Sequence, residues 1–139
     1  MSLDVYLTKK RDEPTDADRA CKLLREHGFN DFADELEARH EHGDIEVYTA
    51  NITHNLNRMA EAAGIYKCLW RPEEIGITKA SQVIEPLAAG IEAMKADRAR
   101  YELFNPSNGW GSYEVFVPWC ERYLEACREN PDADVYASR

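Results

Sequence analysis

Two stretches of the chain concentrate side-chain amides, indoles, phenols and carboxylates beyond what packing requires. One runs from Asn51 to Glu74, the other from Asn105 to Glu114. That mixture suits a pocket that stacks on a flat polar ligand and hydrogen-bonds its edges. Asn51 and Asn55 lie four apart at an expected strand-to-helix junction, and each amide carries both donor and acceptor, which matches a purine or pyrimidine edge. Capping the helix is their alternative use. His54, flanked by Asn51, Asn55 and Asn57, falls in the first helical turn. A neutral imidazole there could accept a proton or bind a phosphate oxygen, with the helix start favouring an anion. Its plainer use is a bond to a nearby backbone carbonyl. Trp70 offers a stacking face and Arg71 a planar fork for phosphate or carboxylate. The competing reading buries Trp70 in the core and pairs Arg71 with Glu73, Glu74 or another acid.

In the second stretch, Asn108-Gly109-Trp110-Gly111 sets an indole between two glycines. Glycines allow unusual backbone angles and close approach to a ligand; a tight turn with Trp110 tucked inward is the alternative. Tyr113 and Glu114 follow at the start of the last helix, bringing a phenol and a carboxylate near the same place. The candidate ligand-binding set is therefore Asn51, His54, Asn55, Trp70, Arg71, Asn108, Trp110, Tyr113 and Glu114. Catalysis would require His54 as general base with Glu114 as acid or orienter, although no carboxylate stands at a fixed spacing from His54. His40 and His42, two apart, do not share a helix face; with Asp44 they read as a solvated helix end, so no metal or cofactor is expected. No Walker loop, GxGxxG, HExxH or GxSxG occurs.

These residues need elements to hold them. Leu3, Val5 and Leu7 alternate with Asp4, Tyr6 and Thr8, which predicts a strand. After a charged turn over Lys9–Pro14, Thr15 or Asp16 caps a helix with Ala20, Leu23 and Leu24 inward, ending at His27-Gly28. Asn30 or Asp31 caps a second helix with Phe32, Leu36 and Ala38-Arg39, ending near Gly43. Ile45, Val47 and Thr49 begin a strand that delivers the chain to Asn51. Thr53 caps a helix carrying Leu56, Met59, Ala60 and Ala63, stopped by Gly64. Ile65–Trp70 reads as a buried helical turn, broken by Arg71-Pro72.

Thr78 starts a long helix with Val83, Ile84, Leu87, Ile91 and Met94 inward, which Pro86 should kink or split. A short turn covers Ala99–Phe104. Ser112 caps the last helix, whose apolar side is Val115, Phe116, Trp119, Tyr123, Leu124 and Cys127, with a bend at Pro118. Val135-Tyr136-Ala137 closes the chain as a strand. The expected fold is α+β: three short strands in one small sheet with about five helices on one side. It forms a single domain over residues 1–139, with an αα-hairpin insert at about 14–43.

The chain has 139 residues, 17 basic against 26 acidic, for a formal net charge of −9. That balance lacks the basic footprint of a sequence-independent nucleic-acid binder. No apolar run approaches the roughly 20 residues that span a bilayer, and the start lacks a signal-peptide pattern, so a cytoplasmic protein is expected. Cys21, Cys68, Cys120 and Cys127 form no CxxC pair and read as reduced, mostly buried thiols.

The chain also resembles a family of small proteins encoded by tailed phages and prophages. The resemblance rests on Ser2-Leu-Asp-Val-Tyr-Leu-Thr, Asn51-Ile-Thr-His-Asn-Leu, Ala63-Gly-Ile-Tyr, Leu69-Trp-Arg-Pro-Glu-Glu-Ile-Gly-Ile, Ile84-Glu-Pro-Leu, Phe104-Asn-Pro, Asn108-Gly-Trp-Gly-Ser-Tyr-Glu, Tyr123-Leu-Glu-Ala-Cys and Asn130-Pro-Asp-Ala. It covers most of the chain outside roughly residues 9–44, a segment that varies among members. It implies a viral origin and action in the cytoplasm of a bacterial host, and attaches no reaction.

Three function classes follow. The first is a binder of a nucleotide-like small molecule that withholds an immune signal from the host. The second is a metal-independent hydrolase or phosphodiesterase acting on such a molecule. The third is an acidic inhibitor of a host enzyme, with the hairpin as its contact element. A homo-oligomer sharing its pocket would suit a domain this small.

Overall fold

The computed structural model describes residues 2–10, 16–39 and 44–139, with the side chains of 16–18, 35–39 and 44 left aside. Three strands, β1 (Ser2–Lys10), β2 (Asp44–Thr53) and β3 (Asp134–Ser138), form one antiparallel sheet in the order β2-β1-β3. β1 pairs with β3 in a register that places Val5 opposite Ala137 and Leu7 opposite Val135. The alternation expected for β1 is present: Leu3, Val5 and Leu7 are buried, and Ser2, Asp4, Tyr6 and Thr8 are half-buried.

Seven α-helices occur among the described residues: α1 (Asp16–Glu26), α2 (Asn30–Arg39), α3 (Asn57–Ala62), α4 (Tyr66–Trp70), α5 (Ala80–Ala96), α6 (Arg98–Glu102) and α7 (Tyr113–Glu129). The α+β class is as expected. The helix count is higher because the two segments read as turns, at Tyr66–Trp70 and Arg98–Glu102, are short helices. Two 3-10 turns, His54–Leu56 and Pro72–Ile75, complete the chain path.

The chain divides into two compact units, residues 9–45 and the remainder. In the smaller unit α1 packs on α2, with the Cys21 thiol donating to the Ala33 carbonyl at 3.6 Å. The inward residues are Cys21 and Ala33, not the expected Leu23 and Phe32, which are 61% and 63% exposed. Gly28 stops α1 at φ +83, as the sequence predicted. The expected cap at Thr15, the charged residues 11–14, the helix end near Gly43 and the His40/His42 cluster lie outside the described residues.

The larger unit holds a continuous core under the sheet. β1 contributes Leu3, Val5 and Leu7; α5 contributes Val83, Leu87, Ile91 and Met94; α7 contributes Phe116, Trp119, Tyr123, Leu124 and Cys127. Val115, expected inward, is 51% exposed, since it stands one residue off that stripe. Both proline-bearing helices run unsplit, α5 through Pro86 and α7 through Pro118. Gly90 sits where α5 meets the chain after α3: a Cβ there would lie 2.2 Å from Ile65 Cγ2 and 3.1 Å from the Ala63 carbonyl oxygen. Side-chain absence therefore sets how closely α5 can approach that segment. Ser112 caps α7 through its hydroxyl, which accepts from the Val115 N–H at 3.3 Å.

Candidate functional site

The end of β2, the His54–Leu56 turn and α4 enclose an open groove of about 920 Å³. Its lining comprises Ser2, Asn51, Thr53, His54, Asn55, Asn57, Tyr66, Trp70, Arg71, Trp110 and Arg139. Six of the nine residues expected to bind a ligand are in that lining: Asn51, His54, Asn55, Trp70, Arg71 and Trp110.

β2 continues through Asn51 because Ile52 is buried while its neighbours face outward. The Asn51 carbonyl accepts from the Trp119 indole N–H at 3.0 Å, fixing this backbone to α7. The Asn51 amide nitrogen donates to Ser2 Oγ at 2.8 Å and Asp4 Oδ1 at 2.7 Å. Its carbonyl oxygen remains an acceptor on the groove wall. Thr53 accepts from the Asn55 N–H at 3.3 Å and starts the turn. That three-residue turn runs directly into α3 (Asn57–Ala62), so a short helical run stands behind His54.

His54 is held differently from either expectation. The Trp70 indole N–H donates to His54 Nδ1 at 2.8 Å. That bond requires a bare Nδ1, which leaves the proton of the neutral ring on Nε2. Trp70 itself is only 1% exposed and stacks on Tyr66, with ring centroids 5.6 Å apart. It is a core residue that directs His54, as the competing reading had it, and it also stands in the groove lining. The half-buried Tyr66 lines the groove beside it, and its hydroxyl accepts from Arg71 Nε at 3.3 Å.

Two guanidinium groups line the groove. Arg71 Nη1 pairs with Glu74 at 3.1 Å, and Arg139 Nη1 donates to Glu73 at 2.6 Å and to the Trp70 carbonyl at 3.0 Å. The hydrogen bond from Arg139 holds the Glu73 carboxyl below its usual range. The bond to Tyr66, and then that to Glu74, raise Arg71 further above its already basic value. Among the described residues, no Asp or Glu side chain belongs to the lining.

The second stretch behaves otherwise. Trp110 is 71% exposed and lines the groove. Asn108 Oδ1 accepts from the Trp110 N–H at 3.0 Å and shapes the turn. Gly109 and Gly111 both take positive φ, +76 and +93. The close approach that Gly111 permits is to the protein itself: a Cβ would lie 2.7 Å from Thr53 Cγ2 and 3.0 Å from Leu56 Cγ. Asn55 ties the same loop down, donating to Asn108 Oδ1 and the Trp110 carbonyl, both at 3.4 Å.

Three expected ligand residues therefore have other work. Asn108 builds the turn. Tyr113 is buried, and its hydroxyl donates to the Met94 carbonyl at 2.9 Å. Glu114 is exposed and pairs with Arg98 at 2.8 Å. His54 and Glu114 thus do not share the groove, and Nδ1 of His54 is already occupied.

The sequence reading missed Ser2, Asn57, Tyr66 and Arg139 as groove residues. Tyr66 carried a signal, since it stands four residues before Trp70 on a helical turn and so shares its face. Arg139 carried none; it reaches the groove through β3, 69 positions along the chain from the carbonyl it binds. The cysteines are free and buried, and burial pushes the Cys68 and Cys127 thiols up to about 12. Among the described residues no group of three or more His, Cys, Asp or Glu could hold a metal ion, and no helix is long and apolar enough to cross a membrane. No family model, curated protein or solved structure matches the chain.

Proposed function

We propose that the groove binds a nucleotide-like anion and holds it without cleaving it. The observation that carries this reading is the lining itself. A chain with 26 acidic and 17 basic residues presents two arginines and, among the described residues, no Asp or Glu side chain there. Such a surface attracts phosphate or carboxylate groups against the charge of the whole molecule. The exposed Trp110 and the half-buried Tyr66 offer aromatic surface for a base, and the Asn51 and Asn57 side chains offer polar edges.

Retention is favoured over hydrolysis by the state of His54. Its Nδ1 is an acceptor for Trp70, and its Nε2 therefore carries a proton and is a donor, not a base. The carboxylate once matched to it, Glu114, is bound to Arg98. In the setting that the phage resemblance implies, a binder of this kind withholds a nucleotide-derived immune signal from host effectors.

The test is to incubate purified protein with a panel of cyclic nucleotides and ADP-ribose derivatives, then heat-denature it and chromatograph the supernatant. Depletion before heating with intact ligand recovered afterwards is the expected result. A new product would replace retention by hydrolysis, and no depletion would remove the reading. The Trp110→Ala, Arg71→Ala double variant should lose retention; wild-type affinity in that variant would move the ligand away from this groove.

A further inference from the structure

We infer that Trp70 is a positioning residue that builds an oxyanion subsite from two donors, His54 and Arg139, and that its ligand is a phosphate monoester or diester group. This rests on the reading of the groove as an anion site and goes beyond it by naming the atoms. One buried residue holds both donors. The Trp70 indole N–H takes His54 Nδ1 at 2.8 Å, and the Trp70 carbonyl takes Arg139 Nη1 at 3.0 Å.

Each bond occupies one side of its partner and leaves the other side for the groove that both residues line. For His54 the remaining group is Nε2–H. For Arg139, Nη1 has both protons engaged, one by the Trp70 carbonyl and one by Glu73 at 2.6 Å. The Nε–H and an Nη2–H then form an edge of two parallel donors, the geometry that takes two oxygens of one phosphate. A third oxygen has the imidazole N–H. Arg71 contributes differently: its Nε and Nη1 are engaged by Tyr66 and Glu74, leaving Nη2 as a charge at the lip without that edge.

Glu73 lies on Arg139 and Glu74 on Arg71, and Asp4 accepts from Asn51. None of the three carboxylates is in the lining, so a phosphate meets donors first. Trp70, 1% exposed, acts through the two residues it orients.

The experiment is NMR of 15N-histidine, 15N-arginine and 15N-tryptophan labelled protein at neutral pH, titrated with inorganic phosphate. The wild type should show His54 protonated on Nε2 with a bare Nδ1, and a scalar coupling across the Trp70–His54 hydrogen bond. Phosphate should shift His54 Nε2 and Arg139 Nε together and saturably. Trp70→Phe keeps an aromatic ring but removes the N–H; it should release the His54 tautomer and weaken phosphate binding about tenfold, the worth of one hydrogen bond of roughly 1.4 kcal/mol.

An Nδ1-protonated or doubly protonated His54 in the wild type would overturn the proposal. So would phosphate that leaves both resonances unmoved. Both readouts come from the wild type and stand even where Trp70→Phe fails to fold. Phosphate shifts without retention of any nucleotide would support the subsite and remove the nucleotide reading. Nucleotide retention with His54 and Arg139 unmoved would do the reverse.

Discussion

Residues 51–74 and 105–114 have nearly the same chemistry in sequence and opposite fates in the fold. In the first, polar side chains bond to one another: Asn51 to Asp4 and Trp70 to His54 across long separations, and Arg71 to Tyr66 five residues away. Each such bond fixes one side of a group and leaves the other toward the groove. In the second, polar side chains satisfy the backbone or solvent-side partners. Asn105 Oδ1 accepts from the Tyr113 N–H at 2.8 Å, Asn108 closes its turn, Ser112 caps α7, Tyr113 holds Met94 and Glu114 pairs with Arg98. Only Trp110 remains. Composition thus marks where polar chemistry concentrates, and the partners decide whether it serves a ligand or the chain.

Trp70→Ala should break the first region most severely. Loss of a buried indole costs about 3–5 kcal/mol, read as a fall in the urea midpoint, and both groove donors lose their holder. Gly111→Ala should separate the two regions where they meet. A Cβ 2.7 Å from Thr53 at φ +93 adds strain to overpacking worth about 1–3 kcal/mol, and Trp110 should lose its place at the groove. Retained nucleotide binding in that variant would show the loop to be dispensable.

Tyr113→Phe should sharpen the contrast from the other side. It removes the donor to Met94 and costs about 1–3 kcal/mol, while ligand retention stays at the wild-type level. Loss of retention in a folded Tyr113→Phe protein would return Tyr113 to the site.

The core beneath both regions responds to alkali. Cys68 on α4 and Cys127 on α7 stay neutral in the fold, with thiols raised from an ordinary 9.0 to about 12. Their contribution to stability is complete below the unfolded value of 9.0 and is lost as pH rises toward about 12. Denaturation midpoints should therefore fall across that window, and Cys68→Ala should flatten the fall. The smallest effect belongs to Glu114→Gln: an exposed ion pair, 77% accessible on the acid, should change stability by less than about 0.5 kcal/mol and retention not at all. A large loss of retention would revive the His54–Glu114 pairing.

Local signals made much of this legible. Alternation over Leu3–Leu7, glycines at 28 and 64, and the Ser112 cap each act within one element, and each stands where the residue pattern put it. The misses share a cause. Cys21 and Ala33 are buried where Leu23 and Phe32 were expected, because the packing of α1 on α2, a tertiary event, decides which face turns inward. Trp70 and Arg71 looked alike as ligand groups, yet one is buried and the other open, because α4 turns Trp70 under Tyr66. Arg139 was invisible, since only the pairing of β3 with β1 brings it near Trp70.

The three indoles sit in sharply different solvent: Trp70 and Trp119 are buried and hydrogen-bonded through Nε1, while Trp110 stands at the groove 71% exposed. Emission excited at the red edge should therefore come mainly from Trp110, and acrylamide should quench it far ahead of the other two. A base settling on that ring would shift and protect this one component. The protein consequently carries its own optical reporter of groove occupancy, readable without label or substitution.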